Sequence, residues 1–165
     1  MIYESHSALE RLLRDCELGW MIDWYDPPDQ ALPHLREALA EATAESRRRL
    51  GEGAPRFDEE TLAGEYDQNP HKLRAFLQAL GSTRSAPMLV LVWRIMQGAT
   101  IQAVELTYEA KVSFRLRIVL TSSYDGRQDV YESTDINDAA LLRHLGITTV
   151  DGKPLFDGFY PLRIR

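Results

Sequence analysis

The side chains best suited to catalysis or metal binding are four histidines, one cysteine and a few clustered carboxylates. None of the histidines stands at the spacing of a paired metal ligand such as H-E-x-x-H; they are His6, His34, His71 and His144. The densest local group is Glu65, Asp67 and His71 in EYDQNPHK. Asp67 and Asn69, however, suit a chain reversal before Pro70. The segment therefore predicts a turn, and we predict no metal site.

Two other arrangements that could support chemistry have simpler structural interpretations. Asp135 and Asp138 stand at the cap and third position of a predicted helix, where carboxylates accept hydrogen bonds from unpaired N–H groups. Cys16 continues the apolar spacing of Leu9, Leu12 and Leu13, which indicates a small core residue. No phosphate-binding glycine loop, dinucleotide fingerprint or G-x-S-x-G motif occurs. We therefore name no catalytic residue and expect no cofactor.

Length and composition place these groups in a single predicted domain, residues 1–165. Apolar residues make up 44% and charged residues 27% of the chain, which is ordinary for a globular protein that builds its own core. The single cysteine excludes an intramolecular disulfide and a cysteine-based metal cluster. The first residues lack the pattern of a signal peptide, and the longest apolar run, 88–93, is too short to span a bilayer. We expect a cytoplasmic protein without a membrane segment.

The charge is unevenly distributed along the chain. Residues 1–67 hold 7 basic and 16 acidic residues, a net charge of −9, whereas residues 68–165 hold 12 and 9, a net charge of +3. An acidic half argues against nucleic-acid binding, which depends on basic side chains at phosphates. The distribution suits either a basic partner or simple solubility.

Residues 1–81 have the apolar period of helices. Four are predicted: one capped by Ser5 or Ser7 and ending near Gly19, one from Pro33 to Leu50, a short one starting at Asp58, and one after Asn69-Pro70 that ends at Gly81. Together they form a predicted N-terminal helical layer.

From residue 86 the period changes to that of strands. The run MLVLVWRIM, 88–96, is almost continuously apolar and predicts a strand covered on both faces. Segment 101–110 fits both strand and helix spacing, and we favour a strand because its neighbours are strands. Segment 111–121 alternates clearly, and Asp125-Gly126 favours a hairpin turn into a return strand at 127–133. A helix near 136–145 follows.

The C-terminal residues predict two more short strand pairs. ITTV-DG-KPLF has the form of a hairpin over 147–156, and Asp157-Gly158 makes another turn into FYPLRIR. Pro161 restricts any strand there to a sheet edge. The fold class is therefore α+β, with a mainly antiparallel sheet of four to six strands packed against the helical layer and the helix near 136–145.

Two surfaces emerge as candidates for binding another protein. The acidic aromatic segment GWMIDWYDPP, 19–28, carries Trp20, Trp24 and Tyr25, residue types enriched at interfaces. Its two tryptophans are one helical turn apart, which favours the alternative that they anchor the segment to the core. Asp23, Asp26 and Asp29 make the exposed edge of this segment acidic, which would suit a basic partner.

The second surface is a basic sheet face. Lys111, Arg115 and Arg117 point the same way from one predicted strand, and Glu105 and Glu109 could lie opposite them. Such cross-strand pairs would explain the cations without a ligand. With Arg163 and Arg165 added, this face could contact an acidic partner. Phe159 and Tyr160 in the same C-terminal segment are further candidate contacts for a partner.

The function that these observations favour is a non-catalytic protein-interaction domain, such as a small inhibitor, immunity-type protein or adaptor in a bacterial-type system. The alternative is a small enzyme or small-molecule-binding domain with a pocket between sheet and helices. Its first candidates would be Glu65, Asp67, His71 and His144. Self-association through a C-terminal edge strand, giving a homo-oligomer, is compatible with either.

Overall fold

The computed structural model describes most of the chain and divides it into two compact units, one ending at Ala86 and one beginning at Pro87. The described residues are 8–23, 30–83, 85–109, 113–122, 125–144, 146, 149–150, 153–154, 156–157 and 160–161. Seen unit by unit, the chain is α+β: helices come first, and a three-stranded antiparallel sheet follows. The prediction of a single domain stays a prediction.

The first unit is helical, as its apolar period predicts. Its helices are α1 (Ala8–Asp15), α2 (Trp20–Asp23), α3 (Ala31–Leu50), α4 (Glu59–Gln68) and α5 (Pro70–Ser82). The apolar stripe of α1 and its continuation at Cys16 are buried, which confirms the core position of the thiol. Arg74 of α5 connects α5 to the residue that follows α1, because its Nε donates to the Cys16 carbonyl oxygen at 2.9 Å. The caps predicted at Ser5 or Ser7 lie outside the described residues.

Local signals set most helix ends in this unit. Asp58 caps α4, since its carboxylate accepts the Thr61 N–H at 2.7 Å, and Gly51 ends α3 with a φ of 79°. Gly81 was expected to end α5 but lies inside it. A Cβ built on Gly81 would come within 2.9 Å of Met21 Cε, so this glycine permits a close approach of α2.

The second unit begins with a helix where the sequence predicted a strand. Residues 86–96 form α6 (Ala86–Met96), and the strand prediction for 88–96 is wrong. All seven residues from Met88 to Arg94 are buried, so no polar face marks the helical period. Pro87 in the first turn and an apolar run of helix length are the signals that favour a helix.

The sheet consists of β1 (Thr100–Glu109), β2 (Ser113–Thr121) and β3 (Gln128–Ser133), in the order β1-β2-β3 and antiparallel throughout. These three strands confirm the predictions for 101–110, 111–121 and 127–133. Gly126 adopts a φ of 74° in the loop before β3, as the turn prediction requires. β1 contains a register shift between Ile101 and Ala103.

The sheet is smaller than the four to six strands expected. The later strands pair only with each other among the described residues, as β4 (Thr149–Val150) with β5 (Lys153–Pro154) and β6 (Phe156–Asp157) with β7 (Tyr160–Pro161). Both hairpins were predicted. Each pair contains a proline, Pro154 or Pro161, which lacks a backbone donor and limits how far a ladder can extend.

Along the chain, the predicted helix near 136–145 follows β3 and precedes β4. A 3₁₀ turn, Ile136–Asp138, leads into α7 (Ala139–His144). Asp135 caps the turn by accepting the Asn137 N–H at 2.9 Å, and buried Asp138 accepts the Ser133 hydroxyl. The predicted cap is confirmed for Asp135, whereas the donor to Asp138 Oδ2 is the hydroxyl of Ser133 rather than a backbone N–H.

A buried arginine connects α6 to the sheet. Arg94 Nη1 donates to Asp129 Oδ2 at 2.7 Å and to the Tyr131 hydroxyl at 2.8 Å, and the guanidinium lies over the Tyr131 ring. Burial opposes the charge of Arg94, but these hydrogen bonds raise its pKa above the ordinary arginine value. The helix and β3 are therefore joined by a charged contact shielded from water.

We predict that Asp129→Ala lowers the free energy of unfolding by roughly 3 kcal/mol, because it leaves the buried Arg94 charge without its carboxylate. Urea denaturation followed by circular dichroism measures this loss. Glu132→Ala is the matched control, since Glu132 is exposed on the same strand and its loss should cost less than about 0.5 kcal/mol. Equal effects of the two changes would contradict a special role for the buried pair.

Candidate functional site

The two faces of the sheet differ in chemistry. The inner face is apolar and buried, with Leu116, Ile118 and Leu120 of β2 between Leu106 of β1 and Tyr131 of β3. The opposite face, which we call the outer sheet face, is partly or fully exposed; it consists of Ala103, Glu105, Thr107, Arg115, Arg117, Val119, Val130 and Glu132. The alternation of β2 thus gives a sheet with one buried side and one side available to water.

A row of alternating charges crosses the outer sheet face. Arg117 lies opposite Glu105 on β1 and Glu132 on β3. Its guanidinium is 3.5 Å from Glu105 Oε1 and 3.6 Å from Glu132 Oε1. All three side chains are well exposed, so each contact contributes little to stability. The expected pairing of Arg117 with Glu105 is confirmed.

Arg115, which is two residues before Arg117 on β2, lies in a different environment. It is opposite Thr107, and Glu109 is opposite Ser113 instead, so the expected second cross-strand pair is not made by Arg115. No carboxylate in the described ranges forms an ion pair with Arg115, whose side chain is exposed. Lys111 lies outside the described residues. Arg115 therefore offers its guanidinium to solvent or to a partner.

An apolar row lies on the other side of the charged row. Ala103, Val119 and Val130 are opposite one another on the three strands, and both valines are half-buried. Sequence reasoning named neither these valines nor Glu132. The alternation of residues 128–133 was the available signal, but it could not supply the register with β2.

The acidic aromatic segment belongs to the other unit. Trp20 begins α2 and is 41% exposed, whereas Met21 and Ile22 are buried in the helical core. The core anchor of this segment is therefore the Met21 and Ile22 pair rather than Trp20. Trp24 and Tyr25 lie outside the described residues, and the binding role of all three aromatics stays a prediction.

The C-terminal candidates are described only at the level of the backbone or not at all. Tyr160 is in β7, opposite Asp157, while Phe159 and Arg163 lie outside the described residues. Their role in binding a partner stays a prediction.

Two adjoining grooves occur in the helical unit, beside α3. They have volumes of about 290 and 360 Å³ and share Thr43 and Arg56 in their linings. Two contacts hold Phe57, which lines the larger groove, against its neighbours. Its N–H donates to Thr43 Oγ1 at 2.9 Å, and its ring packs on Phe76. None of the enzyme candidates Glu65, Asp67 and His71 lines either groove. The side chain of His144 is not described.

Cys16 is the remaining nucleophile of interest. Burial raises the pKa of its thiol above the ordinary value of 9.0, and nearby Asp15 acts in the same direction. A raised pKa lowers the thiolate fraction at neutral pH, which is the opposite of what a catalytic cysteine requires.

We predict that iodoacetamide alkylates Cys16 at least about tenfold more slowly in the native protein than in urea at pH 8, because the thiol is buried and protonated. The native rate should rise only as the pH approaches the raised pKa. Mass spectrometry measures both rates. Glu41→Cys in a Cys16→Ala background provides an exposed control on α3. Rapid labelling of native Cys16 at pH 7 would contradict its assignment to the core.

Within the described ranges, no group of three or more His, Cys, Asp or Glu side chains could hold a metal ion, and no helix is long and apolar enough to cross a membrane. Neither the protein-family models, nor the curated proteins, nor the solved structures contain a match to this chain. The outer sheet face is therefore the candidate functional site of this chain.

Proposed function

We propose that this chain is a non-catalytic protein-interaction domain, of the kind that serves as a small inhibitor, immunity-type protein or adaptor. Its docking surface is the outer sheet face, with Arg115 as the principal contact. The partner is another protein, and the domain acts by binding it rather than by changing it chemically.

The observation that carries this proposal is Arg115, which is exposed on β2 and forms no ion pair with any residue in the described part of the chain. Arg117 on the same strand forms ion pairs with two carboxylates, and these pairs explain the presence of an arginine at that position. No such pair among the described residues explains Arg115. Arginine is enriched at protein interfaces because its planar group presents five donors to carboxylates and carbonyl oxygens. A strand buried on its other face holds Arg115 in place, which reduces the entropy lost on binding.

The rest of the face supports a protein rather than a small ligand. It is a broad sheet surface with a half-buried valine row beside the charged row, and this is the mixture of apolar and polar contacts found at protein interfaces. Small-molecule sites are concave. The two grooves described above are lined by residues of the helical unit, and none of the outer-face residues lines them.

We predict that Arg115→Glu weakens capture of the partner from host-cell extract by about 30-fold, as loss of an arginine hot spot of roughly 2 kcal/mol would do. Quantitative mass spectrometry of proteins retained by the immobilised domain measures the effect. Arg11→Glu makes the same charge change on an exposed position of α1 and should leave capture unchanged.

The two variants separate specific docking from general charge effects. Retention of the same protein by both variants at wild-type levels would exclude the outer sheet face as its site. Equal loss with both would indicate a nonspecific electrostatic attraction, and either result would remove the support for this proposal.

A further inference from the structure

The outer edge of β1 is open along its whole length in the described part of the chain. β1 is ten residues long and pairs only with β2, and no backbone hydrogen bond joins it to any other described segment. Gln102, Ala103, Glu105 and Thr107 are exposed. An unpaired strand edge presents a row of N–H and C=O groups that can accept another strand.

β3, the other edge of the sheet, is protected in ways that β1 is not. It has only six residues, and its Asp129 is directed inward and held by Arg94. Short edge strands and inward-pointing charges are the usual devices that prevent strand addition. β1 contains neither proline nor lysine, and its register shift lies near its first residues, at Ile101. The preferred edge for a partner is therefore β1.

The charged row indicates what kind of strand would fit. Across the sheet the row reads Glu105, Arg117, Glu132, so the position beyond β1 faces the Glu105 carboxylate. Opposite charges on neighbouring strands stabilise a sheet, and like charges destabilise it. On either side of Glu105, the inward-facing Val104 and Leu106 are buried, so the added strand would place apolar residues beside them.

We propose that β1 binds an extended segment of a partner protein by strand addition, with a lysine or arginine of that segment opposite Glu105 and apolar residues on both sides of it. The inference rests on the proposed function and identifies the partner element that completes the sheet. The partner segment thus carries a basic residue at the position that lies opposite Glu105 on β1.

A second copy of this chain satisfies the charge pattern less well. The edge strands of its three-stranded sheet are β1 and β3, and their residues in the charged row are Glu105 and Glu132. Extending the row with either would place two carboxylates opposite each other. The charge pattern therefore favours a different protein over self-association at this edge.

The experiment uses the full chain and a designed probe. The probe is a fluorescein-labelled nine-residue peptide in which threonine and valine alternate around one central lysine, and its control carries glutamate instead of that lysine. Fluorescence anisotropy gives the dissociation constants. We expect the lysine peptide to bind more tightly by roughly two- to fivefold. Glu105→Lys should reverse this preference, whereas Glu132→Lys, the same change at the opposite end of the row, should leave it unchanged.

Two N-methylated forms of the lysine peptide test strand addition itself. One is methylated on every odd residue and the other on every even residue. Because an added strand uses only one of its two backbone edges, one form should lose binding and the other should keep it. Equal binding of both forms would show that side chains alone hold the peptide, and this would overturn the proposal.

Three further results would also overturn the proposal. The first is the absence of saturable binding of the lysine peptide at about 1 mM, and the second is a peptide preference that Glu132→Lys reverses and Glu105→Lys does not. The third is a homodimer, detected by light scattering, that the peptide does not dissociate. The proposed function fails by a separate result, namely capture from extract that does not depend on Arg115. A partner lost with Arg115→Glu but retained by Glu105→Lys would leave the interaction domain intact and exclude the β1 edge.

Discussion

The second unit depends on the neutralisation of one buried charge. α6 is apolar on every side except at Arg94, so hydrophobic burial alone would not distinguish one rotation of this helix from another. Only a rotation that directs Arg94 at Asp129 avoids an unpaired charge shielded from water, which would cost several kcal/mol. The Tyr131 hydroxyl accepts a second hydrogen bond from the same guanidinium nitrogen. The contact thus selects an orientation, while the surrounding apolar side chains supply most of the stabilisation.

This division of roles explains why the outer sheet face is available for binding. The inner face holds the sheet through Leu116, Ile118 and Tyr131, each of which is almost completely buried. The outer contacts of Arg117 are solvent-exposed ion pairs, so substitutions among them change stability little. A surface that contributes little to folding can be selected for recognition without loss of the fold.

The sequence was most informative where a local period or cap determines the structure. The alternation of β2 predicted its buried and exposed faces, and Asp58 and Asp135 cap the helical segments they were expected to cap. It failed at residues 88–96, because a helix buried on all sides has the same apolar run as a strand covered on both faces. Arg94 was the available exception in that run, but its partner Asp129 is 35 residues away and could be identified only from the fold.

Register was the second limit of sequence reasoning. A two-residue turn at Asp125-Gly126 would place Thr134 opposite Arg117. In the structure the Ser122 N–H donates to the Arg127 carbonyl. Four residues lie between this pair instead of two, and Glu132 therefore faces Arg117. The charged row of the candidate site follows from this shift of two residues, which neither alternation nor turn composition specifies.

The same row constrains how the sheet can associate. A three-stranded sheet with two edges is prone to unwanted pairing, and charged residues at edges are a common protection. Here the exposed row ends in a carboxylate on both edge strands, Glu105 and Glu132, so contact between identical edges in this row is repulsive. The central Arg117 lies close to both carboxylates and offsets one of their two negative charges, which keeps the row compatible with folding. A basic strand would extend the alternation at β1, whereas an identical copy would interrupt it, and one arrangement of charges can therefore both oppose self-association and favour a different partner.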